Sequence, residues 1–280
     1  MTRTDIYVRI WLLVGLAAGG CEPDPQRDAI NTLFAEVRSV GGEARVLESG
    51  ALFVDLNAGE FKISGLDLEK FTAILTAMKL SGRPCSLDLD SNPIDASKCD
   101  AIATCDALIM LDLSYCEFDT AAVARLAELK KLRTLILTSV RVPAAELTFL
   151  GNLQSLEFLI LQTTDATDDT ISVLTKLPRL THLNLTKTNV TDRGISQLAK
   201  ISTLKEIRIS SLPITDQGLL TLGSFKHLVE LDIAGSEITP QGIDDFLTKT
   251  SVDVLGVGPV SLRDPKIQEL QKKYSKTRFW

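Results

Sequence analysis

Aromatic side chains are scarce in this 280-residue chain, at 5% of the composition, while hydrophobic residues reach 45%. A core drawn from that set is aliphatic, which suits stacked layers with recurring leucine positions better than the irregular interior of an enzyme. Histidine is scarcer still. Only His182 and His227 occur, at different points of an internal repeat, so neither a His-based catalytic triad nor a zinc cage is suggested. No glycine-rich phosphate loop or nucleophile elbow is present. No catalytic residue, cofactor or metal site is therefore expected. Positive charge is also in deficit: 30 Lys and Arg against 36 Asp and Glu leave a net charge of −6, which gives no electrostatic footprint for nucleic acid. Long apolar runs are missing too. The stretch from Ile10 to Ala18, preceded by Arg3 and Arg9, extends about 11 residues to Gly20, against the roughly 20 needed to cross ~30 Å of hydrocarbon. It reads as an export signal rather than a retained membrane span.

What the chain does have is a ruler of 24 residues. Segments starting at Leu108, Leu132, Leu156, Leu180, Leu204, Leu228 and Val252 align without insertion or deletion, and one starting at Pro84 extends the register upstream. In the unit Leu180 to Thr203, Leu183 and Leu185 are two apart and share one face of a short strand. Ile195, Leu198 and Ile201 are three apart and share one side of a helical turn. Neither element buries its apolar face alone, so the strands are expected to stack into a parallel inner sheet with helices on the outside, an α/β solenoid curved into a horseshoe. Thr191, Thr215 and Thr239 are placed to cap the helices, Asp192 and Asp216 to sit in the first turn, and Pro240 to replace them in the next unit. Gly194, Gly218 and Gly242, three past each cap, are expected to let neighbouring helices pack closely.

These units resemble cysteine-containing or ribonuclease-inhibitor-type leucine-rich repeats, with the pattern Leu-x-x-Leu-x-Leu-x-x-Thr-x-Ile/Val-Thr-Asp-x-Gly-Leu. The match is strong over Leu180 to Phe225. It is weaker over Leu132 to Ser155, where Val140 replaces threonine and Pro143 and Glu146 replace Thr and Gly. Ala18-Gly19-Gly20-Cys21 resembles the bacterial lipobox, departing from it at Ala18, where leucine is usual. Together the two resemblances are to exported bacterial leucine-rich repeat proteins, and they imply a lipid-anchored binding scaffold with acylation at Cys21. The expected layout is a signal peptide over 1–20, a tether over 21–28, a cap and first irregular repeat over 29–83, repeats over 84–275 and a tail over 276–280. Within the cap, Ile30, Leu33, Phe34 and Val37 mark an amphipathic helix, and Ala44–Leu47 and Leu52–Leu56 mark two strands.

Positions three and five of each unit project from the sheet. They predict an apolar patch of Met110, Ile136, Phe158 and Ile160 with Tyr115 at its edge, beside a polar strip of His182, Asn184, Glu206 and Arg208. That concave face is the candidate contact for a protein or an extracellular polymer, engaged by a monomeric, non-enzymatic scaffold in the cell envelope. The alternative, an intracellular adaptor of the substrate-receptor kind, lacks a preceding F-box-like segment. Asp55, Asp88 and Asp112 share one outward strand position, with Asp90 nearby, a column able to attract calcium or a basic partner, although Leu-Asp-Leu is ordinary in such repeats. Cys85, Cys99, Cys105 and Cys116 occupy apolar positions and are expected as buried small hydrophobes. The alternative is a bridge between repeats, such as Cys99 with Cys116.

Overall fold

The computed structural model describes residues 27–57, 66–118 and 120–280. The export segment, the tether start and Cys21 lie outside the described residues. The chain divides into two compact units, residues 1–136 and 137–280.

In the first unit the helix Arg27–Ser39 buries Leu33 and Val37. Strands β1 (Glu43–Val46) and β2 (Leu52–Asp55) then form an antiparallel pair. The chain turns between them at Gly50, whose φ of 80° favours glycine. The helix Leu68–Leu80 follows, capped by Asp67, and buries Phe71, Ile74, Leu75 and Met78. Beyond it the strands are parallel. β3 (Cys85–Asp88) pairs with β2, β5 (Leu108–Asp112) with β3, and β7 (Thr134–Ile136) with β5. A side pair, β4 (Pro93–Ile94) and β6 (Glu117–Phe118), lies on the connections.

In the second unit β8 (Phe158–Ile160), β9 (His182–Asn184), β10 (Glu206–Arg208), β11 (Glu230–Asp232), β12 (Val254–Gly256) and β13 (Arg278–Phe279) form a parallel sheet in chain order. Partners such as Phe158 and His182, or Arg208 and Asp232, are 24 apart in sequence. β13 lies within the stretch expected to be a tail. Its backbone continues the ladder, with Arg278 N–H donating to the Asp253 carbonyl and Trp280 N–H to that of Leu255. The leucine ruler packs as its spacing requires: Leu183, Leu185, Ile195, Leu198 and Ile201 are all buried.

The expectation of a helix after every strand needs one correction. Residues Thr120–Glu128 and Ala144–Asn152 are 3₁₀ helices. At the second of these the cap position is Pro143, which makes no side-chain cap bond. Without a hydroxyl to receive the first free N–H groups, the tighter winding satisfies them locally.

A second 24-residue mark, unseen in the leucine pattern, lies just past the strands. Ser91, Tyr115, Ser139, Thr163, Lys187 and Ser211 all have φ between 56° and 62°, and Gly235 continues the series at 71°. Each left-handed residue ends a strand and re-aims the chain. At Ser91, Ser139, Thr163, Lys187 and Ser211 the N–H still reaches the next repeat: Lys187 donates to the Ser210 carbonyl and Ser211 to that of Ala234.

Candidate functional site

The connection between strand and helix is a built device in the second unit. Thr191, Thr215 and Thr239 accept from backbone N–H groups of Arg193, Gln217 and Gly242, as the capping expectation requires. The same threonines reach backwards. Thr191 donates its N–H and hydroxyl to the two carboxylate oxygens of Asp168 (2.9 and 2.8 Å). Thr215 does so to Asp192 (2.9 and 2.7 Å) and Thr239 to Asp216 (both 2.7 Å). Each aspartate therefore ties its repeat to the next one, in addition to facing its own helix dipole. This also revises the role of the glycines. A Cβ on Gly194, Gly218 or Gly242 would overlap the carboxylate of Asp168, Asp192 or Asp216 respectively. The space they leave is for a side chain of the preceding repeat. Thr170 confirms the logic: it stands at the glycine mark, but the residue one repeat before Asp168 is Ala144, which has no carboxylate to accommodate.

On the sheet face opposite these helices the apolar expectation fails. Met110 and Ile136 in the first unit are 2% and 3% exposed, and Phe158 and Ile160 in the second are 6% and 8%. Parallel strands stand only ~4.8 Å apart, so side chains on neighbouring strands cover one another. At Phe158 the covering group is His182, whose imidazole stacks on the ring at 4.0 Å with planes 15° apart. Tyr115 differs: it is 57% exposed and stands on a left-handed backbone.

The polar strip is present, and it is prearranged. His182 Nδ1 lies 2.7 Å from the Thr181 hydroxyl, and its Nε2 is 3.4 Å from Glu206. Arg208 donates to Glu230 at 2.5 Å. Asn184 donates to Gln162 at 3.4 Å and accepts from the Thr186 N–H. Glu206, at 22% side-chain exposure, and His182, at 18%, are the accessible members. Glu230 is buried under Arg208. Sequence reasoning left Glu230 and Asp232 outside the strip. Their register beside Glu206 and Arg208 was the available clue.

The aspartate column has a local explanation. Asp55, Asp88 and Asp112 accept from the N–H two residues on, at Asn57, Asp90 and Ser114. Asn184 and Asp232 do the same in the second unit. These are Asx turns that close the strands. Among the described residues no group of three or more His, Cys, Asp or Glu is placed to hold a metal ion.

Cys85, Cys99, Cys105 and Cys116 are buried free thiols, as the apolar reading of their positions expected. Burial pushes Cys85 up to about 12, with Cys105 beside it adding to the rise. It pushes Cys105 up to about 11, and raises Cys116 strongly. The Cys116 thiol donates to the Leu89 carbonyl at 3.1 Å.

A sequence model described as "Leucine Rich repeat" matches residues 176–199 and 226–247. No curated protein matches the sequence. Among solved structures, internalin C2 from Listeria monocytogenes str. 4b F2365 is similar with a TM-score of 0.52 and 17% identity, over 86% of this chain and 100% of that one. The mouse RP105/MD-1 complex is similar with a TM-score of 0.55 and 17% identity, over 75% of this chain and 35% of that one. At that identity the likeness is one of fold.

Proposed function

We propose that this chain, which has the leucine-rich repeat fold, is a non-enzymatic scaffold that binds a protein partner on the open face of its sheet. The observation that carries this reading is the polar strip of the second unit. His182, Asn184, Glu206 and Arg208 are held by one another and by Thr181, Gln162 and Glu230 before any partner arrives. Side chains already fixed lose little freedom on binding. Phe158 and Ile160 form the floor of that strip rather than its contact surface. Tyr115 supplies a separate exposed contact in the first unit. Met110 and Ile136 are too covered to take part. The similar RP105 structure is a complex with MD-1, which supports a protein as the partner class.

The scaffold is exported and anchored through acylated Cys21, which places the partner in the cell envelope. Phe158 is a poor residue for a test, since a charge there would disturb a covered ring. Glu206→Lys is the better variant: it keeps the fold, reverses the charge at the accessible centre of the strip, and should abolish capture of the partner in a pull-down from the native envelope. Capture at wild-type yield by a correctly folded Glu206→Lys protein would refute the placement of the site.

A further inference from the structure

The net charge of −6 hides a separation of charge within the second unit. Every repeat there runs from strand to helix along one edge and returns from helix to strand along the other, because strands 24 residues apart lie side by side. Between Leu137 and Asp253 the return connections carry Lys176, Arg179, Lys200, Lys205, Lys226 and Lys249, against the carboxylates Glu157 and Asp253 alone. Over the same residues the outgoing connections and first helical turns carry seven carboxylates, among them the three clamp aspartates, against Arg141, Lys187 and Arg193; the last repeat departs from the pattern, with Arg263 and Lys266 beside Asp264 on its outgoing side. One edge is cationic and the opposite one anionic.

Helix dipoles explain part of this arrangement. Lys176, Lys200 and Lys249 sit at helix ends, where partial negative charge favours a cation. They do not explain Arg179, Lys205 and Lys226, which lie beyond the last turns, where the dipole no longer acts. All six cations are exposed, and among the described residues none of them forms an ion pair. The backbone stack that carries Lys205 places Val229 directly beside it, with Val229 N–H donating to the Lys205 carbonyl, and Val229 is 41% exposed.

We propose that this return edge of the second unit is a docking surface for an anionic lipid membrane. The form of the edge selects that partner. The cations lie on four successive connections, which span about 14 Å at a strand spacing of ~4.8 Å. Five of the six are lysines, point charges suited to headgroup phosphates without fixed geometry. An exposed aliphatic side chain among them can enter the interface. A planar anionic surface touches this edge alone and holds the acidic edge farthest away, whereas a long flexible polyanion would meet both. Among the described residues no exposed Phe, Tyr or Trp adjoins these six cations in sequence, and His227 beside Lys226 is the one exposed ring next to them.

The test uses the full chain and reads a ratio: partition onto phosphatidylcholine vesicles containing roughly 30 mol% phosphatidylglycerol, divided by partition onto pure phosphatidylcholine vesicles. An uncharged acyl anchor or apolar leader acts on both vesicle types and cancels. Each cation near an anionic leaflet multiplies partition roughly fivefold. The wild-type ratio should exceed about ten at low salt and fall towards one near 1 M salt, where the Debye length shrinks to about 3 Å. Arg179→Glu, Lys205→Glu and Lys226→Glu together should bring the ratio to one at low salt, while Lys187→Glu with Arg193→Glu on the other edge leaves it unchanged. The triple variant spares the helix ends, and its fold is checked by its thermal unfolding. A wild-type ratio near one, a preference that survives the triple reversal, or stronger uptake of short duplex DNA than of vesicles would each overturn the assignment.

Discussion

At Gly218 a single absent carbon decides whether two repeats are joined. The carboxylate of Asp192 lies where the Cβ would stand, and from there it accepts both the N–H and the hydroxyl of Thr215. Gly218→Ala should therefore displace the aspartate and cost about 2–3 kcal/mol in denaturant unfolding, through lost charge-assisted bonds and overpacking. Asp192→Ala alone should cost about 1 kcal/mol, because Thr215 is exposed and water replaces the carboxylate. Combined, the two substitutions should cost less than their sum, since the second removes what the first collides with. Strict additivity would show that the glycine serves helix packing instead. The sequence displays Thr, Asp and Gly at fixed marks, and capping of each helix by its threonine follows from local chemistry alone. The pairing of Asp with a threonine 23 residues on was not legible, because it depends on how far apart the helices stack. The left-handed residues were missed for a related reason: Ser, Tyr, Thr and Lys carry no signature of positive φ, and only Gly235 does.

Among the elements, the helix Pro265–Lys273 is fastened to its neighbour Pro240–Lys249 by one cluster. Lys273 donates to both oxygens of Asp244 at 2.6 and 2.8 Å, and the Tyr274 hydroxyl donates to one of them at 2.6 Å. These bonds, from Lys273 first and Tyr274 second, hold the Asp244 carboxyl below its ordinary value. A depressed folded-state value contributes stability that is complete above the unfolded value of about 3.9 and is lost as pH falls through the folded one. The difference in melting temperature between wild type and Asp244→Asn should be constant from about pH 7 to 5 and shrink below about pH 4. A difference that persists undiminished in strong acid would exclude the carboxylate as its source. Apolar spacing foretells most of the helices and strands, including the helices Arg27–Ser39 and Leu68–Leu80. It does not distinguish an α-helix from the 3₁₀ winding of Thr120–Glu128 and Ala144–Asn152, since a spacing of three fits both. The exposed apolar patch was misjudged because facing outward from a sheet is a matter of register, whereas accessibility depends on what the next strand carries. His182 over Phe158 is the clearest instance.

For the molecule as a whole, anchoring is tested by feeding a fatty-acid analogue to cells that make the wild type or Cys21→Ala. Label should enter only the wild type, and equal labelling would remove the anchor. The 24-residue period carries the fold class here, with the scarcity of aromatics only consistent with it, and the total charge hid the cations on the return edge because opposite edges cancel in a sum. The aspartate clamps carry one more consequence. Each reaches forward to the adjoining turn and no farther, so excision of 192–215 would leave Asp168 still facing Thr191 and Asp216 still facing Thr239. Such a scaffold is modular: duplication or loss of one whole turn alters its reach without redesign of any joint, and its length is open to evolutionary adjustment in steps of a single strand.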